Sequence, residues 1–227
     1  MRPRPQSRGP SLRDLVKTDS DMKKLLPGIL AMAMIVVASN ILVQFPIGNW
    51  LTWGAFTYPF AFLVCELVNR FHGVAAARRV VLAGFATGLL CSFIGTQIMG
   101  EFGPLVTLRI ALASGLAFLA GQFVDVVVFD RLRRKAWWRA PFAAGLAGSS
   151  VDTAFFFPIA FSAAFIWLEP SNDVSWATGP VPFLGLGPLV PLWASLAVAD
   201  WGVKVLVDLF ALMPFRAAIA KYATKPA

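Results

Sequence analysis

Seven ionisable side chains interrupt stretches that are otherwise apolar: Glu66, Arg109, Asp125, Asp152, Asp200, Lys204 and Asp208. A charge at the centre of a bilayer costs roughly 2.5–3.5 kcal/mol on insertion scales, so such groups face a bundle interior or a wet cavity and mark a functional site by default. Asp200, Lys204 and Asp208 are spaced four apart and share one face of a helix. Two chemistries suit that row and are compatible. One is an internal salt bridge that neutralises Lys204; the other is an acid whose titration is set by a nearby ammonium. Gly115, Phe118, Gln122 and Asp125 repeat at helical spacing, as do Gly145, Ser149 and Asp152. Small residues let helices approach closely, and the amide and carboxylates supply hydrogen bonds across the contact. Pro59 and Pro158 remove the backbone bonds to Ala55 and Ala154. Interrupted apolar helices point to a transporter's substrate site, and a simple kink is the alternative.

These residues need a bilayer-spanning frame, and the composition supplies one. Of 227 residues 58% are hydrophobic and only 14% charged, with mean hydropathy +0.70. Intrinsic disorder and an ordinary globular enzyme are both excluded. At roughly 20 apolar residues per membrane helix, the charge-free runs predict an all-α integral membrane protein with six transmembrane helices. The expected spans are Leu25–Phe45, Trp50–Val68, Val80–Met99, Leu105–Phe129, Pro141–Leu168 and Gly187–Met213. A turn at Pro46-Ile47-Gly48-Asn49 separates the first two. At about 1.5 Å per residue, Asp152 and Asp200 fall near the midplane, Glu66 and Lys204 in the inner third, and Asp125 and Asp208 near the inner boundary. Arg109, about one turn below the outer boundary, is expected to snorkel.

Eighteen of the twenty basic residues fall in the N-terminal segment, the second-to-third and fourth-to-fifth connections, and the C-terminal segment. The positive-inside rule therefore places both termini in the cytoplasm. Residues 1–24 are expected to be a disordered basic tail, 25–215 the membrane domain, and 216–227 a short cytoplasmic tail. Trp50, Trp53, Trp167 and Trp176 fit an outer aromatic belt and Trp137-Trp138 an inner one. The charge of +8 thus reads as attraction to anionic lipid headgroups. Nucleic-acid binding is the weaker reading, because the charges are split over four short segments.

Several chemistries lack their residues. No G-x-x-x-x-G-K-[ST] loop is present, so ATP hydrolysis by that route is excluded. The single His72 lies in a predicted loop, which removes intramembrane haem, His-rich metal sites and a Ser–His protease. A two-aspartate protease built on Asp152 and Asp200 lacks a Gly-x-Gly-Asp context. Cys65 and Cys91 read as small apolar packing residues. No cofactor, metal or catalytic residue is expected.

Longer segments resemble a known family. Thr57-Tyr58-Pro59-Phe60-Ala61-Phe62-Leu63-Val64 with Glu66, Asn69 and Arg70, followed by Ala75-Ala76-Ala77-Arg78-Arg79-Val80, is similar to the second helix and following loop of the queuosine precursor transporter family, also called the vitamin uptake transporter family. Arg109 to Gly115 with Gln122 and Asp125 resembles its fourth helix. Ser149 and Val151 to Phe156 resemble its fifth, and Asp200, Val203-Lys204 and Pro214-Phe215-Arg216 its sixth. Glu66 stands where the family is expected to carry Asp. The resemblance implies a bacterial inner-membrane importer of 7-cyano-7-deazaguanine or 7-aminomethyl-7-deazaguanine for tRNA queuosine modification. It also implies a six-helix fold similar to the substrate-binding subunits of energy-coupling-factor transporters. A carrier or binding subunit for another small heterocycle or vitamin is the alternative. Small-residue faces permit a homodimer without requiring one.

The side chains suit such a ligand. A carboxylate such as Glu66 or Asp152 can accept from the ring N–H and exocyclic amine together. An amide such as Asn40 or Gln122 suits the carbonyl edge, and Phe56, Tyr58 and Phe60 around Pro59 could stack on the ring. The expected substrate contacts are Asn40, Phe56, Tyr58, Glu66, Gln122, Asp125 and Asp152. Asp152, Asp200, Lys204 and Arg109 are expected to couple or gate.

Overall fold

The fold is a helical bundle whose connections are hairpins at one end and basic turns at the other. A computed structural model describes residues 12–223, residue 102 excepted. Its elements are α1 (Leu12–Leu42), β1 (Pro46–Ile47), β2 (Leu51–Thr52), α2 (Gly54–Thr57), α3 (Phe60–His72), α4 (Val74–Gln97), β3 (Met99–Gly100), β4 (Gly103–Pro104), α5 (Leu108–Leu132), α6 (Arg139–Phe161), α7 (Ser175–Thr178), β5 (Pro180–Pro182), β6 (Leu189–Pro191) and α8 (Leu192–Ala223). Among the described residues four helical stretches are long and apolar enough to cross a membrane: Met22–Leu42, Val74–Gln97, Leu108–Leu132 and Arg139–Phe161. Two of the six expected spans differ in kind. The second is divided at Tyr58-Pro59 into α2 and α3, and the sixth carries Asp200, Lys204 and Asp208 within its apolar run.

Each connection at the hairpin end is a two-stranded antiparallel ladder, β1–β2, β3–β4 and β5–β6. The first places the expected turn at Gly48, whose φ of 58° favours glycine. Asn172 Nδ2 donates to Thr107 Oγ1 at 3.1 Å, which ties the long α6–α8 connection to the start of α5. Asp173 accepts from the Ser175 N–H at 2.8 Å to start α7, and that bond holds its carboxyl below the ordinary carboxylate range. The opposite end is basic. Arg70 Nη1 donates to Arg133 O at 2.5 Å while Arg133 Nη2 donates to Arg70 O at 3.3 Å, linking the α3–α4 turn to the α5–α6 connection. Arg216 lies over the Trp137 ring at 5.1 Å, bringing the end of α8 to the same side.

Several boundaries move from their sequence expectation. The second-to-third connection shrinks to Gly73, at φ 84°, so Arg78 and Arg79 lie on α4 rather than in a loop. The fifth helix ends at Phe161, and residues 163–168 form a 3-10 turn. Pro158 sits inside α6 without ending it. At the C-terminus α8 runs through Pro214 to Ala223 instead of leaving near residue 213. Phe215 explains this: it is buried against Phe129 with ring centroids 5.9 Å apart, beside Ala140 and Ala144, and that packing outweighs one lost backbone bond. Of the expected N-terminal tail, residues 1–11 lie outside the described residues, while 12–24 form the first turns of α1.

The central contact is α5 on α6, and it is close because it is built on glycine. A Cβ on Gly121 would meet Gly148 O at 2.9 Å and Asp152 Cβ at 3.0 Å. A Cβ on Gly148 would meet Gly121 O at 3.0 Å and Phe62 at 2.7 Å. Backbone cannot yield as a flexible side chain can. Gly121→Val should therefore cost about 1–3 kcal/mol by overpacking. Gly202→Ala, where nothing lies within 4 Å, should be neutral. Thermal unfolding of the detergent-solubilised variants reads both.

Candidate functional site

A cavity of about 590 Å³ runs from the β1–β2 hairpin at the hairpin end into the middle of the bundle. That is the size of a small-molecule site. Its walls are apolar and aromatic: Phe85, Phe118, Phe156, Phe157, Phe161 and Trp176 all line it. Phe161 packs on Trp176 at 5.4 Å and on Phe156 at 5.8 Å, both edge-to-face, so that wall is a connected aromatic surface. Ser39, Asn40, Ser92 and Ser114 put polar groups along the sides.

The floor is an ion network. Lys204 Nζ on α8 donates to Asp152 Oδ2 on α6 at 2.7 Å and to Thr153 Oγ1 at 3.3 Å. Asp200 Oδ2, one turn away, lies 2.5 Å from the same nitrogen, as a contact ion pair without hydrogen-bond alignment. Tyr58 Oη donates to Asp152 Oδ1 at 2.8 Å, and its ring lies 5.3 Å from Nζ. Tyr58 stands where Pro59 divides the helix. Tyr58 closes α2 with a bond to Gly54 O at 3.0 Å, and α3 restarts from Pro59. The ring is then wedged edge-on between Phe62 and Phe118. Lys204 is thus neutralised twice, by the row neighbour that helical spacing identifies and by Asp152 from another helix.

Of the expected substrate contacts, the structure brings Asn40, Tyr58 and Asp152 to the cavity, with Asp200 and Lys204 beside them. Asn40 commits its Nδ2 to Val36 O at 2.8 Å, leaving its carbonyl oxygen uncommitted to that bond. Phe56 is 37% exposed and does not line the cavity, because residues two apart on a helical turn point to nearly opposite sides. Glu66, Gln122 and Asp125 are buried but also do not line it; they lie past the floor, toward the basic end. Asp208 belongs with them: it leaves Lys204 to its other partners and accepts from Ser149 Oγ at 3.2 Å.

Arg109 does not snorkel. It is 0% exposed and caps the end of α6, donating from Nε to Ile159 O at 2.6 Å and from Nη2 to Ser162 O. A cation suits carbonyls at a helix C-terminus. Its backbone N–H also donates to Glu169 Oε2 at 2.8 Å. Arg109 therefore holds the hairpin-end connection and does not face the cavity. Sequence reasoning missed the wall residues Phe156, Phe157, Phe161 and Trp176. Two of them precede Pro158, so the attention given to aromatics around Pro59 would have found them there. Trp176 sits in a long connection and carried no signal beyond its type.

A sequence model of the family described as "Putative vitamin uptake transporter" matches residues 52–219. The chain is 35% identical over 195 residues to the "Queuosine precursor transporter" of Escherichia coli (strain K12), covering 80% of this chain and 79% of that protein. It is 31% identical over 206 residues to the "Probable queuosine precursor transporter" of Haemophilus influenzae, covering 79% of each. A Bacillus subtilis protein of that same name is 27% identical, over 71% of this chain and 68% of its own length. No solved structure matches the chain significantly.

The network makes a stability prediction. Lys204→Met leaves two buried carboxylates without their cation and should cost about 3–5 kcal/mol. Tyr58→Phe removes one hydrogen bond to a charged group and should cost about 1.5–3 kcal/mol. Adding Asp152→Asn to Lys204→Met should recover part of the loss, read by the unfolding midpoints of the three proteins.

Proposed function

The chain belongs to the queuosine precursor transporter family, also called the vitamin uptake transporter family, and from that premise we propose that it imports 7-cyano-7-deazaguanine or 7-aminomethyl-7-deazaguanine across the bacterial inner membrane for tRNA modification. The observation that carries this reading is the cavity itself, with aromatic walls over a floor of two carboxylates and one ammonium. A deazaguanine is a flat heteroaromatic with adjacent donors on one edge. Its ring suits the Phe118 and Phe156–Phe161 surfaces, where stacking is worth about 1–3 kcal/mol per base in comparable sites. Its N–H donors suit Asp152 or Asp200, which together offer more acceptor capacity than one lysine consumes. The Asn40 carbonyl oxygen can take a further donor.

All six apolar segments span the membrane in this reading. α2–α3 and α8 join the four long helices, in an arrangement similar to energy-coupling-factor substrate subunits. With the basic end and both termini cytoplasmic, the cavity opens outward and is closed beneath Lys204. Substrate reaching Asp152 competes with the Tyr58 and Lys204 bonds, so the network acts as the gate. Arg109 contributes by holding the outer connection in place.

Cells unable to make the precursor test the function. Supplied with external deazaguanine, they should regain queuosine in tRNA only when this chain is expressed. Failure with well-inserted protein favours another heterocycle or vitamin, which competition against uptake then identifies. Asp152→Asn should insert normally and lose at least about tenfold in uptake, the equivalent of one hydrogen bond to a charged group; normal uptake refutes its role. A phosphatase fused after residue 223 should be inactive, and a fluorescent protein at that position bright. The reverse pattern overturns the orientation.

A further inference from the structure

We propose that Glu66, Asp125 and Asp208 form a proton-binding site beyond the cavity floor, and that protons taken there from the cavity and released at the basic end drive import. The proposal rests on the import reading above and adds its driving ion. These three acids come from α3, α5 and α8 and are buried. They neighbour one another: Glu66 faces Asp125 and Asp208, and Asp125 faces Asp208, Glu66 and Cys65. α6 contributes Ser149 and, at Gly145 and Gly148, bare backbone. A Cβ at Gly145 would meet Asp208 Oδ2 at 2.8 Å, and one at Gly148 would meet Asp125 Cβ at 3.2 Å. Among the described residues, the cation facing the group is Lys204, which faces Asp208 along α8 and already binds Asp152 and Asp200.

Hydrogen-bond accounting independently points to the ligand. Among the described residues, the buried atoms without a partner on this side of the floor are Asn69 Oδ1, Gln122 Oε1, both Asp125 oxygens and Gln122 Nε2. Four are acceptors and one is a donor. Gln122 is 0% exposed and shares the α5 face with Phe118 and Val126, which belong to the same buried cluster as Ala61 and Cys65 of α3. Gln122 lies about one turn from Asp125 on α5, and Asn69, one turn from Glu66 on α3, donates from Nδ2 to Val126 O at 3.1 Å, beside Asp125. A buried group with surplus acceptors is short of hydrogen atoms, since each unmade bond there costs about 1–3 kcal/mol. Protons on the carboxyls supply the missing donors, as O–H groups to a neighbouring carboxyl or to Gln122 Oε1 and Asn69 Oδ1. A metal ion would do so less well: no described group of three His, Cys, Asp or Glu is arranged to hold one.

Loading and release use the same helices. From the cavity, the row Asp200–Lys204–Asp208 on α8 and the pair Asp152–Ser149 on α6 lead past the floor. Opening at the basic end hydrates the acids, which then ionise and release their protons there. The steps are proton transfers among the carboxyl and hydroxyl oxygens and the Lys204 nitrogen, which gives up one proton as it takes another, and nothing is oxidised or reduced.

Purified protein in liposomes tests this. Counterflow of labelled deazaguanine establishes transport by itself. An acid-outside gradient should then raise the accumulation ratio about tenfold per pH unit if one proton accompanies each solute, while a sodium gradient has no effect. Adding precursor outside should acidify the lumen. Glu66→Gln, Asp125→Asn and Asp208→Asn should each lower the ratio of gradient-driven accumulation to counterflow toward that of wild type without a gradient. Infrared spectra at neutral pH should show a protonated-carboxyl band in wild type that weakens in each variant. Absence of that band in wild type, or gradient-proportional accumulation in all three variants, overturns the proposal. Absence of counterflow with the band present overturns the import reading instead.

Discussion

An ammonium in the middle of a membrane bundle must be neutralised where it stands, and the structure is organised around how Lys204 meets that requirement. Removing a charge from water is costly, and only a close, well-bonded partner offsets it. Asp200 is supplied by the helix itself. Asp152 comes from α6 and needs α6 and α8 to be held in one register. Tyr58 reaches Asp152 from the junction of α2 and α3 at Pro59. Three helices are thus tied at one depth by a single nitrogen, and the cavity ends where they meet.

That tie divides the interior into two unlike compartments. On the hairpin side lies an open chamber with aromatic walls, bounded by connections folded into short ladders. On the basic side lies a closed set of acids and amides pressed against glycine backbone. The glycines of the α5–α6 contact explain the closure. They bring the helices near enough that Asp125 and Asp208 lie against the backbone of α6.

Much of this was legible in the residues. The apolar runs, the division of basic charge between alternate connections, the Asp200–Lys204 pair and the significance of Pro59 all follow from local spacing. Three prolines in apolar runs behave differently, however. Pro59 divides its helix, whereas Pro158 sits inside α6 and Pro214 inside α8. Local rules remove the same hydrogen bond in each case; the packing of neighbours such as Phe215 against Phe129 helps decide whether the helix continues. Arg109 likewise looked like a residue reaching for the surface. Its burial depends on carbonyls at the end of α6, fifty residues further along.

What the sequence by itself determined is the inventory: how many ionisable groups lie in apolar surroundings, which of them share a helix face, and which end of each helix carries positive charge. These are properties of one segment at a time, set by the rise and turn of a helix and by the cost of placing charge in hydrocarbon. Only the tertiary structure decided how that inventory is divided. Asp152 and Glu66 were equivalent candidates on chemistry, yet one borders a chamber and the other a buried acid cluster. The difference arises from distances between helices remote in sequence, and those distances are set by where glycine permits backbones to touch.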